Sequence, residues 1–359
     1  MNMLLAMMLV QTTPAASDPL KHKVYPPEPL IQRTRLGQAI NFDVEVTNSG
    51  PSTLELTSIR AAVRDGSGRI VQRLEVNDNG SAPGIHTVPT RTWKPGEAHT
   101  IFNPFHTLAA DVPLGRMDYE FVFKDEKKQS VTEHVQVSPT PYGHKSSLIV
   151  PMPGRVLVWD GHDFYSHHRR WNFSHPMIKK MGLLTHPSRY SFDFVIADAD
   201  GGFHKPKPKG RDDYFSLGAN IVAPGAGTVV GMVNGAPDEP ADPTPQSFAR
   251  DPMFAIYGNY IVIDHGNGEF SQLGHLKKGS IRVRIGERVR QGQSIAQAGA
   301  SGTSLFPHLH YQLTTRPGID GEGLPVYFDN VARVLGSATK RAARAWIDTG
   351  DIVESATRR

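Results

Sequence analysis

The sequence predicts a mostly β protein in two halves, and three observations predict it. Apolar residues alternate with polar ones at period two in stretch after stretch. Glycine and proline clusters punctuate those stretches at short intervals. One segment alone, near the end, carries helix-like apolar spacing. At 359 residues the chain is long enough for two domains with separate cores.

The first residues, "MNMLLAMMLVQTTPAASDPL", hold a short apolar run from Leu4 to Val10 and then small residues at Ala15–Ser17. That pattern is expected of a secretory signal peptide over residues 1–16, although no Lys or Arg precedes the apolar run. It implies export to the periplasm or beyond the cell. Residues 17–36 contain Pro26, Pro27 and Pro29 and are expected to form an extended lead-in. In "NFDVEVTNSG", Phe42, Val44 and Val46 alternate with polar neighbours. In "MDYEFVFKDEKKQSVTEHVQV", Met117, Tyr119, Phe121 and Phe123 line one face before a turn. Short half-buried strands at this spacing predict an immunoglobulin-like β-sandwich over residues 37–140. Its Asp43 and His134 read as solvated strand residues. "SPTPYGHKSS" is the expected boundary.

The second half is again rich in strands and glycine. "APGAGTVVGMV" reads as a turn feeding a strand. "YGNYIVIDHGNGEFSQLGHL" reads as two strands joined at Asn267-Gly268. Residues 232–256 hold five prolines and read as a surface excursion. "VARVLGSATKRAARAWI" is the helix candidate, and residues 331–359 are expected to form a helical extension packed on the outside.

Composition narrows the chemistry. There is no cysteine, so disulfides and thiolate metal sites are excluded. A zinc ion would need His, Asp or Glu ligands. Histidine is abundant, with 16 residues, most of them after position 160. Lys plus Arg exceed Asp plus Glu by 39 to 35, giving a net charge of +4. That mild excess suits an acidic surface such as a cell wall or membrane, and the sequence lacks the basic blocks with interleaved aromatics that nucleic-acid binding uses. No segment of the mature chain is long and apolar enough for stable membrane insertion.

Three segments carry candidate chemistry. In "RYSFDFVIADAD", Tyr190, Phe192 and Phe194 share one strand face while Ser191 and Asp193 share the other, and a buried acid needs a partner. "LGHLKKG" places His275 just after a strand. "SGTSLFPHLHYQL" puts His308 and His310 two apart on a strand, hence on one face. Two histidines and a carboxylate form an ordinary zinc complement that leaves a position open for water.

The order "DFV … APGAGTVVG … YGNYIVIDHGNG … LGHL … GERVRQGQSIAQAGASGTSLFPHLHYQL" resembles the LytM/lysostaphin-type zinc metallopeptidases, family M23, the β-lytic endopeptidases with the duplicated-hybrid-motif fold. The resemblance covers roughly residues 150–330. It implies a Zn(2+) cofactor, cell-wall peptidoglycan as substrate, and the cutting of its short peptides. Residue by residue it implies Asp193 and His310 as metal ligands, with His275 and His308 as non-ligand catalytic histidines. The compact family pattern H-x-x-x-D is not met. Four residues before Asp193 stands Arg189, which has no lone pair to offer. "RYSFD" resembles members with a longer spacing, so the first ligand lies upstream. His168 and His186 are equal candidates, ahead of His167, His162 and His175. The alternative function is a catalytically inactive LytM-like domain that binds peptidoglycan or activates another wall hydrolase. "IDHGNG" assigns His265 to a turn. Asp198 and Asp200 read as solvent-facing.

Overall fold

The computed structural model describes residues 18–239 and 244–355. The expected signal peptide lies outside the described residues. No helix among the described residues is long and apolar enough to cross a membrane.

Alternation builds the N-terminal half. Along strand Arg116–Lys124, Met117, Tyr119, Phe121 and Phe123 are buried while the residues between them are half-exposed. This strand pairs with Ser130–Val137 on one side and Leu54–Arg64 on the other, and Ile70–Asn77 extends the sheet. A second sheet, Leu20–Tyr25, Asp43–Asn48 and Ala98–Phe102, supplies Leu20, Val44, Val46 and Ile101 to the same apolar cluster. The two sheets thus share one core, as a sandwich does. Trp93 fills it and donates its indole N–H to the Val46 carbonyl at 2.8 Å. The lead-in segment is not a free arm. Its segment Leu20–Tyr25 is an edge strand of the sandwich, paired through Leu20↔Asn48 to Tyr25↔Asp43.

The C-terminal half has its own core, around Val156, Phe192, Phe194, Ile261, Leu273, Tyr311 and Phe328. It is a ten-stranded sheet. Across it run Arg288–Val289, Gly227–Val233, Tyr260–Asp264, Phe270–Gly274, Leu309–Thr314, Phe192–Ile196, Gly154–Asp160, Ile352–Ser355, Phe328–Leu335 and Ala338–Ala345. Neighbouring strands are antiparallel. A short pair, Asn220–Val222 with Ser294–Gln297, contributes Ile221, Ile295 and Ala296 to that core.

The expected C-terminal helix is corrected. Residues 328–345 are a β-hairpin, with Leu335 paired to Ala338 across Gly336-Ser337. Gly336 sits at φ 64°, the left-handed region a tight hairpin turn needs. Val331 and Ala332 are buried on the sheet, and that packing overrides the helix preference of the Ala/Arg-rich second strand. The proline-rich excursion is corrected in part. It carries two short helices, Pro245–Arg250 and Pro252–Tyr257, and the second buries Met253, Ala255 and Tyr257.

Glu269 clasps the boundary segment to the ten-stranded sheet. It is 1% exposed, and its carboxylate accepts from the Tyr142 hydroxyl at 2.7 Å and from the Ser146 and Lys145 amides at 2.8 and 3.1 Å. Burial alone would raise this carboxyl. The bonds from Ser146, Tyr142 and Lys145 outweigh it and hold the group below its ordinary value. A depressed acid stabilises the fold above its unfolded value of about 4.5 and loses that contribution as pH falls through its folded value. Glu269→Gln is therefore expected to cost about 1–3 kcal/mol at pH 7. The difference from the parent should shrink on acidification below about pH 4. Urea unfolding at both pH values measures it; an equal loss at both would refute it.

Candidate metal centre

The site grows out of sheet register. In an antiparallel ladder, directly opposed residues point to the same face. Asp193 lies opposite His310 on one side and opposite Asp160 on the other. His310 in turn lies opposite Gly274, the residue before His275. Phe192 and Phe194, both fully buried, turn the alternate face of the Asp193 strand into the core. The carboxylate is thereby forced onto the opposite face. A register shift at Val158/Asp160 marks a β-bulge beside the site, at Trp159. Gly274 has a local reason: a Cβ there would meet Tyr257 Cβ at 3.0 Å and its ring at 3.1 Å, and that ring stands 5.0 Å from the His310 ring.

His168 arrives from the irregular loop between Gly154–Asp160 and the short helix Pro176–Met181. Its Nε2 lies 3.4 Å from Asp193 Oδ1, and His310 Nδ1 lies 3.1 Å from the same oxygen. One donor atom from each of His168, Asp193 and His310 falls within 4.8 Å of the others, and all three residues are buried. Outer partners occupy the remote ring nitrogens. His168 Nδ1 is 2.9 Å from the Gly161 carbonyl, and His310 Nε2 is 3.0 Å from Gln312 Oε1. With a proton on each of those nitrogens, His168 Nε2 and His310 Nδ1 present lone pairs toward Asp193. His168 Nε2 is buried and has no hydrogen-bond partner. An orphaned lone pair beside a second imidazole and a carboxylate is the donor set that a divalent metal ion satisfies. A second group, Asp160, His167 and His168, adjoins it; the Asp160 carboxylate lies 2.6 Å from His167 Nδ1.

His275 and His308 flank this cluster. Their rings are 4.8 Å apart, and His275 stands 5.8 Å from His310. His275 Nδ1 donates to the Ser301 carbonyl at 2.7 Å, and His308 Nδ1 to the Phe306 carbonyl at 2.8 Å. His308 Nε2 in turn lies 3.4 Å from Asp193 Oδ1. His275 holds a left-handed backbone, φ 57°, a strained geometry for a non-glycine residue. Burial, with His308 and His310 beside it, holds the His275 ring well below its ordinary value and hence neutral. Burial pushes His308 the same way, but the Asp193 carboxylate overrides it and raises the ring. Burial would raise Asp193 itself; His308 and His168 hold it well below the usual carboxylate range.

These groups open into a groove of about 520 Å³ walled by Trp159, Trp171, Tyr257 and Phe306, with Leu305 exposed at its rim. A concavity of about 630 Å³ on the outer sandwich face is lined by ion pairs satisfied among themselves, such as Arg60–Glu75 and Arg64–Asp118.

The structure brings together Asp193, His310, His275, His308 and His168. It does not bring in His186. That ring is fully buried 5.1 Å from the Trp171 ring, outside the ligand group, because the turn before the Asp193 strand carries it into the packing under the loop. His162 is also buried elsewhere, with Nε2 3.1 Å from Gln32 Oε1, and His175 caps the helix Pro176–Met181. His265 bridges Ala226 O and Ser271 Oγ, both at 2.8 Å, in the turn role read for it. Asp43 is corrected: it is fully buried, not solvated. Sequence reasoning missed Asp160, Tyr257 and Gln312. The alternation that placed Asp193 also places Gln312 on the His310 face, two residues on, and could have flagged it.

Residues 207–322 match the model of Peptidase family M23. Peptidoglycan DD-endopeptidase ShyA of Vibrio cholerae serotype O1 is 39% identical over 95 residues, covering 26% of this chain and 21% of that relative. ShyB of the same organism is 34% identical over 140 residues, covering 36% of this chain and 28% of the relative. The murein hydrolase activator EnvC of Escherichia coli K12 is 39% identical over 57 residues, covering 16% and 13%. The chain spans 21% to 28% of the length of ShyA and ShyB. The catalytic domain of lysostaphin from Staphylococcus simulans is 21% identical, covering 34% of this chain and 86% of that one, with a TM-score of 0.20. The family match spans Tyr257, His275, His308 and His310, while His168 and Asp193 precede it. The match at residues 207–322 is thus to peptidase family M23, the family that the sequence resembles.

Proposed function

We propose that the chain is an exported zinc metalloendopeptidase that hydrolyses peptide bonds in bacterial cell-wall peptidoglycan. The observation that carries this reading is the grouping of His168, Asp193 and His310 donor atoms, with the His275 and His308 rings beside them. ShyA and ShyB, by their names, act on peptidoglycan, and the groove beside the cluster is open enough to admit an extended peptide. His168 Nε2, Asp193 Oδ1 and His310 Nδ1 would hold the ion. Zinc, when bound, supplies Lewis acidity to water and to the scissile carbonyl.

The chain's own groups do the rest. The neutral His275 accepts a proton at Nε2 from the attacking water. His308, kept more basic by Asp193, presents an N–H to the developing oxyanion, and the proton taken up by His275 passes to the leaving amine. Asp160 orients His167 at the groove edge. Gln312 fixes the His310 ring, and lies 3.1 Å from the Tyr257 hydroxyl, so ligand and groove wall share one anchor.

Purified protein is expected to carry about one zinc per chain, to release soluble fragments from peptidoglycan sacculi, and to lose that activity on chelation with recovery on zinc addition. Sacculi bound but not cut by the zinc-loaded protein would favour the binding-only reading, and the absence of both zinc and cutting would sink the enzymatic one. Three donors at the cluster support the enzyme over an activator.

A further inference from the structure

We propose that Asp43, in the N-terminal sandwich, is a positioning residue for the metal cluster: its single carboxylate holds Arg169 and Arg189, and through them sets the His168 loop against the Asp193 strand. The proposal rests on the metal reading of His168, Asp193 and His310.

The contacts are direct and wholly buried. Arg169 Nη1 donates to Asp43 Oδ1 at 2.6 Å, and Arg189 Nη1 donates to Asp43 Oδ2 at 3.0 Å. All three side chains are fully excluded from solvent. Arg169 also gives Nε to Asn41 Oδ1 at 3.0 Å and Nη2 to the Phe42 carbonyl at 2.9 Å. Three consecutive residues of the sandwich therefore take up three donor groups of one guanidinium. Arg189 gives Nε to Glu322 Oε1 at 2.5 Å, and the other Glu322 oxygen accepts the His186 amide at 2.8 Å. Two cations and two carboxylates balance, which is what makes burial of four charges tolerable.

The placement gives the network its consequence. Arg169 follows His168 in the chain, and Arg189 stands four residues before Asp193. The His168 loop, residues 161–175, contains no strand or helix, so no backbone ladder fixes it. It lies instead along the sandwich. His162 meets Gln32, Ser174 Oγ donates to Glu45 Oε2 at 3.0 Å, and Phe173 stacks on Tyr25 at 3.9 Å between ring centroids. The Asp193 strand, by contrast, is held by the second domain's own sheet. One ligand is thus borne by a loop moulded on the first domain and the other two by the second. Asp43 is the group that bonds to both sides. Displacing the His168 ring by a few tenths of an ångström detunes a ligand sphere whose distances tolerate about 0.2 Å.

The test uses the full chain and zinc alone as the probe. Zinc affinity is measured by competition with a chromophoric chelator, beside thermal unfolding of the apo-protein and the kcat and KM for wall-peptide cleavage. Asp43→Asn is expected to weaken zinc binding by about 10- to 100-fold, the scale of losing an outer partner. It should lower kcat with KM little changed. Asn41→Ala, which removes one Arg169 contact and leaves the charges intact, is expected to shift affinity in the same direction by up to about tenfold. Tyr119→Phe removes a 2.8 Å bond to Asn103 inside the sandwich core. It should lower the unfolding temperature and leave zinc affinity unchanged.

Wild-type zinc affinity in folded Asp43→Asn, or in Asn41→Ala should the former not fold, overturns the proposal. So does an equal loss of affinity in Tyr119→Phe, which would trace the effect to stability alone. A wild-type chain that binds no zinc overturns the metal reading and this proposal with it, whereas zinc-binding wild type with unaffected variants overturns this proposal only.

Discussion

Alanine at His310 or Asp193 is expected to strip the metal and end hydrolysis. On the proposed assignment each change removes one of three protein donors, so the loss of zinc affinity should exceed the roughly 10- to 100-fold that outer partners cost. His168→Ala should behave in the same way, because its Nε2 is the orphaned lone pair facing Asp193. His186→Ala should not. That ring packs near Trp171 and Phe173 away from the cluster, so its loss is expected to cost stability, about 1–3 kcal/mol, with zinc retained. Zinc content and sacculus digestion on the same four preparations make the comparison. Zinc lost from His186→Ala and kept in His168→Ala would reverse the ligand assignment.

Removing the flanking histidines separates chemistry from metal binding. His308→Ala and His275→Asn are each expected to keep zinc near wild-type levels and to cut turnover by about 10²-fold or more, the scale of lost proton transfer or oxyanion support. Asparagine is the better probe at His275 because that residue holds φ 57°, where asparagine is tolerated and alanine is strained. Full activity in both variants would leave the zinc site standing and remove the proton-transfer roles. Zinc loss in either would recast that histidine as a ligand.

What the sequence revealed followed the range of its patterns. Asp193 and His310 sit in strands whose period-two alternation fixes which face each side chain takes, and His308 forms a β-bridge to Gly299 just before the second of them, so the candidate group was readable. His275 was readable because it follows the strand beside theirs. His168 and His186 were not separable, since the loop and turn that hold them have no period, and a single turn decides which imidazole faces the carboxylate. Asp43 was misread for a different reason. Its partners lie 126 and 146 residues away, and an acid at a strand start looks solvated until a guanidinium from another domain covers it. The tail was misread because alanine and arginine favour helix locally, while pairing with Phe328–Leu335 decided the outcome.

That hairpin also governs how the molecule meets its own copies. It forms one margin of the ten-stranded sheet, where backbone donors and acceptors would otherwise invite a second chain to add on. The marginal strand Ala338–Ala345 is largely exposed and carries Lys340, Arg341 and Arg344. Two copies docking there side by side would bring like charges together along the seam. The opposite margin, Arg288–Val289, is two residues long and offers too few ladder bonds to recruit a strand. Neither margin therefore favours the edge-to-edge pairing that would zip concentrated copies of this chain into fibrils.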